Sequence, residues 1–258
     1  MAKKRENWAR FGMFAKGVVY FLIGALTALT AFNLGGEKAD KDSVLQFLAR
    51  QPFGKILLVA LSIGLFGYVF FRLYQAFYEE NRGWTSLKGF FTRTAYIVSA
   101  LFYGLLGVAS LRLFWKGYLG SKNENILQSL LSKEYGMYIL IFIALGVLVK
   151  GVVLFYQAFS KKYVEDIKKH ELGSGTQKLL VNVGFLGYVS RGIISVVFCY
   201  LLLRTSFGDH DIASDKTAVF EFLQNTFGGV LMGLVALGLL VYGVFMFLQA
   251  KYTSFKVS

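Results

Sequence analysis

The sequence predicts an all-α integral membrane protein with six transmembrane helices arranged as three parallel two-helix repeats. Three observations predict this class. Hydrophobic residues make up 55% of the 258-residue chain and charged residues only 17%, whereas about a quarter of the residues in a soluble domain are charged. The apolar residues are concentrated in six long segments, and short motifs recur three times in these segments.

Each apolar segment has the roughly 20 residues that a helix needs to cross about 30 Å of hydrocarbon. The segments are continuously apolar, which disfavours the alternating pattern of a lipid-facing barrel strand. We therefore predict six transmembrane helices, at residues 14–34, 53–77, 94–115, 136–159, 179–203 and 227–250.

The basic residues predict the orientation of these helices. The chain has a formal net charge of +13, which is compatible with a nucleic-acid partner or with an anionic membrane surface. Fourteen Lys and Arg residues lie on the side of the N-terminus and eight on the other side. By the positive-inside rule, both termini are cytoplasmic. Since this rule accounts for the charge, we expect membrane lipid and no nucleic acid as a partner.

Internal repetition divides the chain into repeats at residues 1–78, 79–160 and 161–258, the last with a basic cytoplasmic linker before its spans. Gly64, Gly146 and Gly238 each precede by four positions the residues Tyr68, Lys150 and Tyr242, and Gln-Ala follows seven residues later. The first span shares its pattern with the third and fifth, which argues against a cleaved signal peptide. Parallel repeats predict a pseudo-threefold axis along the membrane normal.

The loops within the repeats also match one another. Residues 44–48, 126–130 and 219–223 have one apolar pattern, which predicts a short amphipathic helix at the outer interface in each repeat. Ser43, Asn125 or Asp215 can supply the N-cap of such a helix. The linker at residues 161–170 mixes both charges, which is typical of a helix that contacts solvent or lipid headgroups.

The chain resembles a bacterial six-span family of three two-helix repeats that is catalogued as a domain of unknown function. The second repeat departs from the family pattern, because Ser99-Ala100 replaces a basic residue and Gly, and Lys133-Glu134-Tyr135 replaces Gln-Pro-Phe. The resemblance implies this fold and a multi-pass location in the bacterial inner membrane, and it carries no established activity. It rests on Ala9-Arg10-Phe11-Gly12, Ala15-Lys16-Gly17-Val18-Val19-Tyr20, Ile23-Gly24, Gln51-Pro52-Phe53-Gly54-Lys55, Gly64-Leu65, Gly67-Tyr68, Arg72 and Gln75-Ala76.

The residue types exclude several kinds of chemistry. The single cysteine, Cys199, lies in an apolar run, and His170 and His210 lie in polar stretches. We therefore expect no disulfide within the chain, no metal site, no membrane haem and no other cofactor. No Asp or Glu lies within the six predicted spans, which disfavours a carboxylate proton relay. Because no nucleophile with a base is recognisable, a membrane enzyme is the least favoured class.

Two intramembrane cations remain to be explained. Lys150 lies eleven residues before Lys161, hence roughly 16 Å from the cytoplasmic boundary, where an ammonium costs about 2.5 to 3.5 kcal/mol. Its options are a lowered pKa, a water-filled cavity or an anion. Arg72 lies about 10 Å from the same boundary, where snorkelling competes with a role in a cavity.

These cations lie on repeated helix faces. If the three faces converge on the pseudo-axis, they form a ring of three glutamines and, two turns deeper, a Tyr/Lys/Tyr layer. This would be a cationic, aromatic-lined cavity for an anionic or small organic ligand. The structural alternative is that the polar side chains only hydrogen-bond to neighbouring helices. The candidate ligand-binding residues are Lys150, Arg72, Tyr68, Tyr242, Gln75, Gln157 and Gln249.

The other cations in the spans receive no function. Lys16, Arg112 and Arg204 are predicted to snorkel to the interfaces, and Arg191 is predicted to be structural. The leading hypothesis is a non-enzymatic membrane protein that binds, and in its stronger form conducts or transports, an anionic or small organic ligand. The alternative is a structural module that recruits another membrane protein or assembles into an oligomer.

Overall fold

A computed structural model describes residues 2–35, 41–78, 87–117, 135–164, 174–207 and 217–252. These residues form seven α-helices and a 3-10 turn at Lys162–Val164, with no strand among them. Six of the helices are long and apolar enough to cross a membrane, which confirms the predicted all-α membrane class. The helices are α1 (Ala2–Ala31), α2 (Lys41–Arg50), α3 (Gly54–Tyr78), α4 (Leu87–Lys116), α5 (Gly136–Ser160), α6 (Ser174–Ser206) and α7 (Thr217–Tyr252).

The six long helices follow one another around a ring, and five of the six neighbouring pairs pack on each other. Within the first and third repeats the two spans pack on each other, α1 on α3 and α6 on α7. Between repeats, α3 packs on α4, α5 on α6 and α7 on α1. In the described part of the chain, α4 and α5 of the second repeat do not pack in this way. The predicted pseudo-threefold arrangement is therefore not confirmed.

Close packing within the first and third repeats depends on two equivalent glycines. A methyl group on Gly12 of α1 would lie 2.5 Å from the backbone nitrogen of Tyr68 in α3. A methyl group on Gly187 of α6 would lie 2.7 Å from Cβ of Tyr242 in α7. Small residues permit such close approach of helices in membranes, and these two contacts place the tyrosines in the interior.

Arginines on first spans bind the ends of neighbouring second spans. Arg10 of α1 donates a hydrogen bond to the Ala250 carbonyl of α7 at 2.7 Å and another to the Lys251 carbonyl. Arg93 of α4, the equivalent residue of the second repeat, donates to the Ala76 carbonyl of α3 at 2.9 Å. Both cations therefore satisfy carbonyls at a helix C-terminus, where positive charge is favourable.

Two of the three predicted outer helices lie within the described residues. The segment 44–48 lies in α2, which begins at Lys41, so Ser43 is inside the first turn and is not the N-cap that the sequence predicted. The segment 219–223 lies in the first part of α7, ahead of a break at Gly228. Gly228 has φ 84° and ψ 167°, a conformation that is essentially confined to glycine. The segment 126–130 and the N-cap candidates Asn125 and Asp215 lie outside the described residues.

The linker after α5 does not begin as the helix in contact with solvent or lipid headgroups that the sequence predicted. Tyr163 and Val164 in the 3-10 turn are buried. Tyr163 donates a hydrogen bond to the Val181 carbonyl at 2.7 Å and stacks on Tyr188, with ring centroids 4.9 Å apart. Aromatic packing against α6 therefore draws this turn into the core. Residues 165–170 of the linker lie outside the described residues.

Candidate functional site

Three cations from three helices meet a shared set of tyrosines in the interior. Lys16 comes from α1, Arg72 from α3 and Arg191 from α6. Their contacts, described next, involve four tyrosine rings that also contact one another. We call this group the cation–tyrosine cluster; it comprises Lys16, Arg72, Arg191, Tyr20, Tyr68, Tyr103 and Tyr242.

Lys16 links the two halves of the cluster. Its side chain is only 8% exposed, and Nζ donates a hydrogen bond of 3.4 Å to the Tyr68 hydroxyl. The same ammonium lies 5.2 Å from the centroid of the Tyr68 ring, 5.5 Å from that of Tyr103 and 5.9 Å from that of Tyr242. All three distances are within the range of a cation–π interaction. The prediction that Lys16 snorkels to the interface is therefore wrong.

Arg72 shares the Tyr68 hydroxyl with Lys16. Nε of Arg72 donates to this oxygen at 2.7 Å, and Nη1 donates to Oε1 of Gln75 at 2.7 Å. The guanidinium also lies 5.0 Å from the ring centroids of Tyr68 and Tyr96. The Tyr68 oxygen, which has two lone pairs, thus accepts hydrogen bonds from two cations.

Arg191 occupies the third-repeat position that Lys16 occupies in the first repeat, and it makes the equivalent contact. Nη1 of Arg191 donates to the Tyr242 hydroxyl at 2.5 Å. Its guanidinium lies 4.5 Å from the Tyr242 ring centroid and 5.0 Å from that of Tyr20. Each of these basic residues therefore binds the tyrosine on the second span of its own repeat.

The tyrosine rings connect the three cations. Tyr20 and Tyr242 pack edge to face at 5.1 Å, and Tyr68 and Tyr103 do so at 4.9 Å. The Tyr103 hydroxyl donates to that of Tyr20 at 3.3 Å, which joins the two pairs. Edge-to-face packing leaves ring faces available for cations. The cluster is therefore one contiguous network.

The cluster has no internal counter-charge. Among the described residues, no carboxylate forms an ion pair with Lys16, Arg72 or Arg191, and the six predicted spans contain no Asp or Glu. Cation–π contacts contribute about 0.5 to 2 kcal/mol each, and three cations in a membrane cost at least about 2.5 to 3.5 kcal/mol each. The rings therefore offset much of the cost but leave the charge in place.

The structure brings together only part of the site that the sequence predicted. Tyr68, Arg72, Gln75 and Tyr242 lie in or against the cluster. Lys150 lies on an exposed face of α5, a helix that supplies none of the cluster contacts. Gln157 and Gln249 are half-buried, and no hydrogen bond joins the three glutamines in the described residues. The glutamine ring remains a prediction.

Sequence reasoning missed Lys16 and Arg191 as cluster residues. The signal that could have found them was their equivalent position, because each precedes a glycine that is aligned between the first and third repeats, Gly17 and Gly192. Nearness to the cytoplasmic boundary predicts an interfacial position for Lys16, and the alignment with Lys16 extends that expectation to Arg191. A basic residue that recurs at one position of a repeat is better evidence of a specific contact than its depth in the membrane is. Snorkelling to the interface requires no particular position in the repeat.

This fold and this cluster define a membrane protein of three two-helix repeats with a cationic, tyrosine-lined interior. The family described as Domain of Unknown Function (DUF1206) matches residues 11–79, 94–161 and 186–253. The chain belongs to this family, which confirms the resemblance seen in the sequence.

A relative from Bacillus subtilis (strain 168), the uncharacterized protein YxxB, is 27% identical over 250 residues, which are 96% of this chain and 90% of the relative. No solved structure is significantly similar to the chain. The six candidate membrane spans of the structure indicate a multi-pass membrane protein that contacts lipid.

Proposed function

We propose that this protein binds an anionic or small organic ligand at the cation–tyrosine cluster, without catalysis, and transports it. The predicted setting is the bacterial inner membrane with both termini cytoplasmic, as the distribution of basic residues favours. The proposal keeps the ligand class that the sequence suggested. It replaces Lys150 by Lys16 and Arg191 as binding cations.

The observation that carries the proposal is an excess of charged donors. Lys16, Arg72 and Arg191 have about thirteen N–H donors among them. Described residues accept four hydrogen bonds from these donors, at the hydroxyls of Tyr68 and Tyr242 and at Gln75. Several donors can therefore serve an additional acceptor. A carboxylate, sulfate or phosphate group offers two or more acceptor oxygens and neutralises charge, which water does not.

The tyrosines favour a ligand with an apolar or aromatic part. Four rings line the cluster, and ring edges and faces pack well on planar or apolar groups. Ligand sites typically combine such surfaces with a few fixed polar groups. The arrangement therefore suits an organic anion better than a bare halide.

The test is anion binding by purified protein in nanodiscs, with benzoate, inorganic phosphate and chloride as probes. Benzoate is expected to raise the thermal unfolding midpoint, because a ligand that binds only the folded state stabilises it by about 2.7 kcal/mol at a hundredfold excess over Kd. Arg191→Met is expected to weaken benzoate binding about tenfold to a hundredfold, since a hydrogen bond to a charged group contributes about 1.5 to 3 kcal/mol.

Arg112→Met is the matched control, because Arg112 is an exposed cation near the end of α4. This variant is expected to bind benzoate as the wild type does. Absence of benzoate, phosphate and chloride binding in the wild type, or equal affinity in Arg191→Met, contradicts the proposal. Flux of the bound anion into liposomes tests the transport step, and wild-type flux no higher than that of Arg191→Met refutes that step.

A further inference from the structure

We propose that the cation–tyrosine cluster binds an organic dianion whose two anionic groups are held apart, one by Arg72 with Lys16 and the other by Arg191. This inference rests on the proposed function and deepens it, because it names the charge and the shape of the ligand. The chemical class is a dicarboxylate or an equivalent compound with two anionic groups on one planar or apolar scaffold.

Arg72 and Lys16 form the first binding position, which we call the Arg72 anchor. Nε of Arg72 and Nζ of Lys16 donate to the Tyr68 hydroxyl at 2.7 and 3.4 Å, so these two cationic nitrogens lie within about 6 Å of each other and repel. Among the described residues, Arg72 donates through Nε and Nη1, which leaves its Nη2 amino group for a ligand oxygen. An anionic group beside the Tyr68 hydroxyl would therefore attract both cations.

Arg191 forms the second binding position, which we call the Arg191 anchor. In the described part of the chain it donates through Nη1 alone, to the Tyr242 hydroxyl at 2.5 Å. The edge of the guanidinium that carries Nε and Nη2 can then donate to both oxygens of one carboxylate, which is the bidentate geometry that arginine favours. The Arg191 anchor can therefore hold an anionic group of its own.

Both anchors lie within reach of one small molecule. Nζ of Lys16 is 5.9 Å from the centroid of the Tyr242 ring, and the guanidinium carbon of Arg191 is 4.5 Å from the same centroid. The two cations are therefore at most about 10 Å apart. A molecule built on a single ring, with an anionic group at each end, is long enough to contact both when it makes a hydrogen bond at each end.

The number of charges on the ligand follows from how each cation is already compensated. Lys16 lies within cation–π distance of three rings, those of Tyr68, Tyr103 and Tyr242. Arg72 and Arg191 each lie over two rings. A monoanion would leave the arginine of one anchor without a counter-charge, whereas a dianion supplies one negative charge to each arginine. Lys16 then keeps the most extensive contact with aromatic rings.

A series of tyrosine contacts connects the two anchors. The Arg72 guanidinium lies 5.0 Å from the ring centroid of Tyr68, which lies 4.9 Å from that of Tyr103. The Tyr103 hydroxyl donates to that of Tyr20 at 3.3 Å, and the Tyr20 ring centroid lies 5.0 Å from the Arg191 guanidinium. Aromatic rings pack well on planar or apolar groups. A ligand that carries such a group between its anionic ends therefore fits the cluster better than an inorganic dianion such as sulfate.

Matched pairs of ligands provide the test, on the full-length wild-type protein in nanodiscs. Each pair is a benzenedicarboxylate, terephthalate or isophthalate, and its monomethyl ester, which has the same ring but only one charge. We expect at least one dicarboxylate to bind about tenfold to a hundredfold more tightly than its own ester, the effect of one further hydrogen bond to a charged group. Affinities that agree within about threefold in both pairs overturn the proposal.

Phenyl phosphate distinguishes two anionic groups from two charges on one group. At about pH 8 it carries nearly two negative charges on a single phosphate. We expect it to bind less tightly than the better of the two dicarboxylates, because one phosphate group contacts one anchor. Tighter binding of phenyl phosphate than of either dicarboxylate would indicate a site for a single phosphate group and would overturn the proposal.

Substitutions at the anchors show where the second anionic group binds. The readout is the Kd of the ester divided by that of the dicarboxylate, because a general disturbance of the cluster weakens both ligands alike. Arg191→Met is expected to lower this ratio to about one. Arg72→Met is expected to lower it less, because Lys16 remains at the Arg72 anchor. Arg112→Met, which removes an exposed cation outside the cluster, is expected to keep the wild-type ratio.

A wild-type ratio in Arg191→Met overturns the proposal, and the ligand pairs alone decide the matter if this variant does not fold. Benzoate and the monomethyl esters carry one charge each, so their binding tests the proposed function by itself. If these monoanions bind and the dicarboxylates bind no more tightly, the anion site stands and the dianion proposal falls. If no anion binds to the wild type, the proposed function falls as well.

Discussion

Lys16 and Arg191 occupy equivalent positions in the first and third repeats, and each donates a hydrogen bond to the tyrosine on the partner helix of its own repeat, Tyr68 and Tyr242. The second repeat carries Ser99 and Lys150 at these two positions. The basic residue of this pair therefore lies on the second span of the second repeat instead of on the first, and it is exposed on α5. The second repeat therefore contributes no cation to the cluster, and its two spans do not pack on each other in the described part of the chain.

The close contact between α1 and α3 predicts that alanine destabilises the protein at Gly12 but not at Gly146, which has no such contact. Gly12→Ala is expected to destabilise the protein by about 1 to 3 kcal/mol, because the added methyl group would lie 2.5 Å from the Tyr68 backbone nitrogen. Gly146→Ala is the control, since nothing lies within 4 Å of its added methyl group, and it is expected to be neutral or slightly stabilising. Thermal unfolding in detergent measures both, and equal midpoints for the two variants would refute the packing argument.

The buried Arg93 predicts a loss of stability when its charge is removed. Arg93→Met is expected to cost about 1.5 to 3 kcal/mol, because it removes a charged hydrogen bond to the Ala76 carbonyl at the end of α3. Arg112→Met, on the exposed side of the same helix, is expected to change stability by less than about 0.5 kcal/mol. Unfolding midpoints of the two variants in one detergent decide the matter, and an unchanged midpoint for Arg93→Met counts against a capping role.

The sequence predicted the helices well and the site only in part, for a physical reason. Span length and apolarity depend on local composition, so all six transmembrane helices could be placed from the residues alone. Polar side chains from different helices meet only where those helices pack closely. Close packing depends on contacts such as that of Gly12 with Tyr68, which are far apart in the chain. The exposure of Lys150 follows from the absence of such a pair in the second repeat, and a count of residues from the membrane boundary does not reveal it.

The environment of Tyr163 predicts a pH dependence of stability. Burial raises the pKa of Tyr163 above its ordinary value of about 10, so the unfolded chain ionises first as the pH increases. The stabilisation is fully present below about pH 10 and is lost as the pH rises through the pKa of the folded state. Tyr163→Phe is expected to flatten this part of the profile and, by removing the hydrogen bond to the Val181 carbonyl, to cost about 0.5 to 1.5 kcal/mol at neutral pH.

Unfolding midpoints between about pH 8 and about pH 11 provide the measurement for Tyr163. Tyr138→Phe is the control, because the Tyr138 side chain is 69% exposed near the start of α5. It is expected to follow the wild-type profile. A Tyr163→Phe profile that declines as steeply as that of the wild type would show that ionisation of another group dominates this pH range.

A carboxylate placed beside Arg72 is expected to replace the ligand as counter-charge. Oε1 of Gln75 already accepts a hydrogen bond from Arg72 at 2.7 Å, so Gln75→Glu converts this contact into an ion pair of the same shape. The guanidinium donor is already charged, and a carboxylate acceptor adds an attraction between opposite charges, so we expect the unfolding midpoint to rise in the absence of ligand. Benzoate affinity is expected to fall roughly thirtyfold, because the new carboxylate repels the carboxylate of benzoate. This repulsion is about 2 kcal/mol for two charges about 8 Å apart at an effective dielectric constant of about 20.

Gln249→Glu is the matched control for this substitution, because Gln249 holds the same position in the third repeat and Met246 stands where the first repeat has Arg72. Met246 offers no charge one turn before Gln249, and the Arg10 guanidinium at this end of α7 already donates to the Ala250 and Lys251 carbonyls. We therefore expect a lower unfolding midpoint than in the wild type. Opposite shifts in the two variants, accompanied by loss of benzoate affinity in Gln75→Glu, are the expected result. If Gln75→Glu lowers the midpoint as Gln249→Glu does and leaves benzoate affinity unchanged, Arg72 is not part of an anion site.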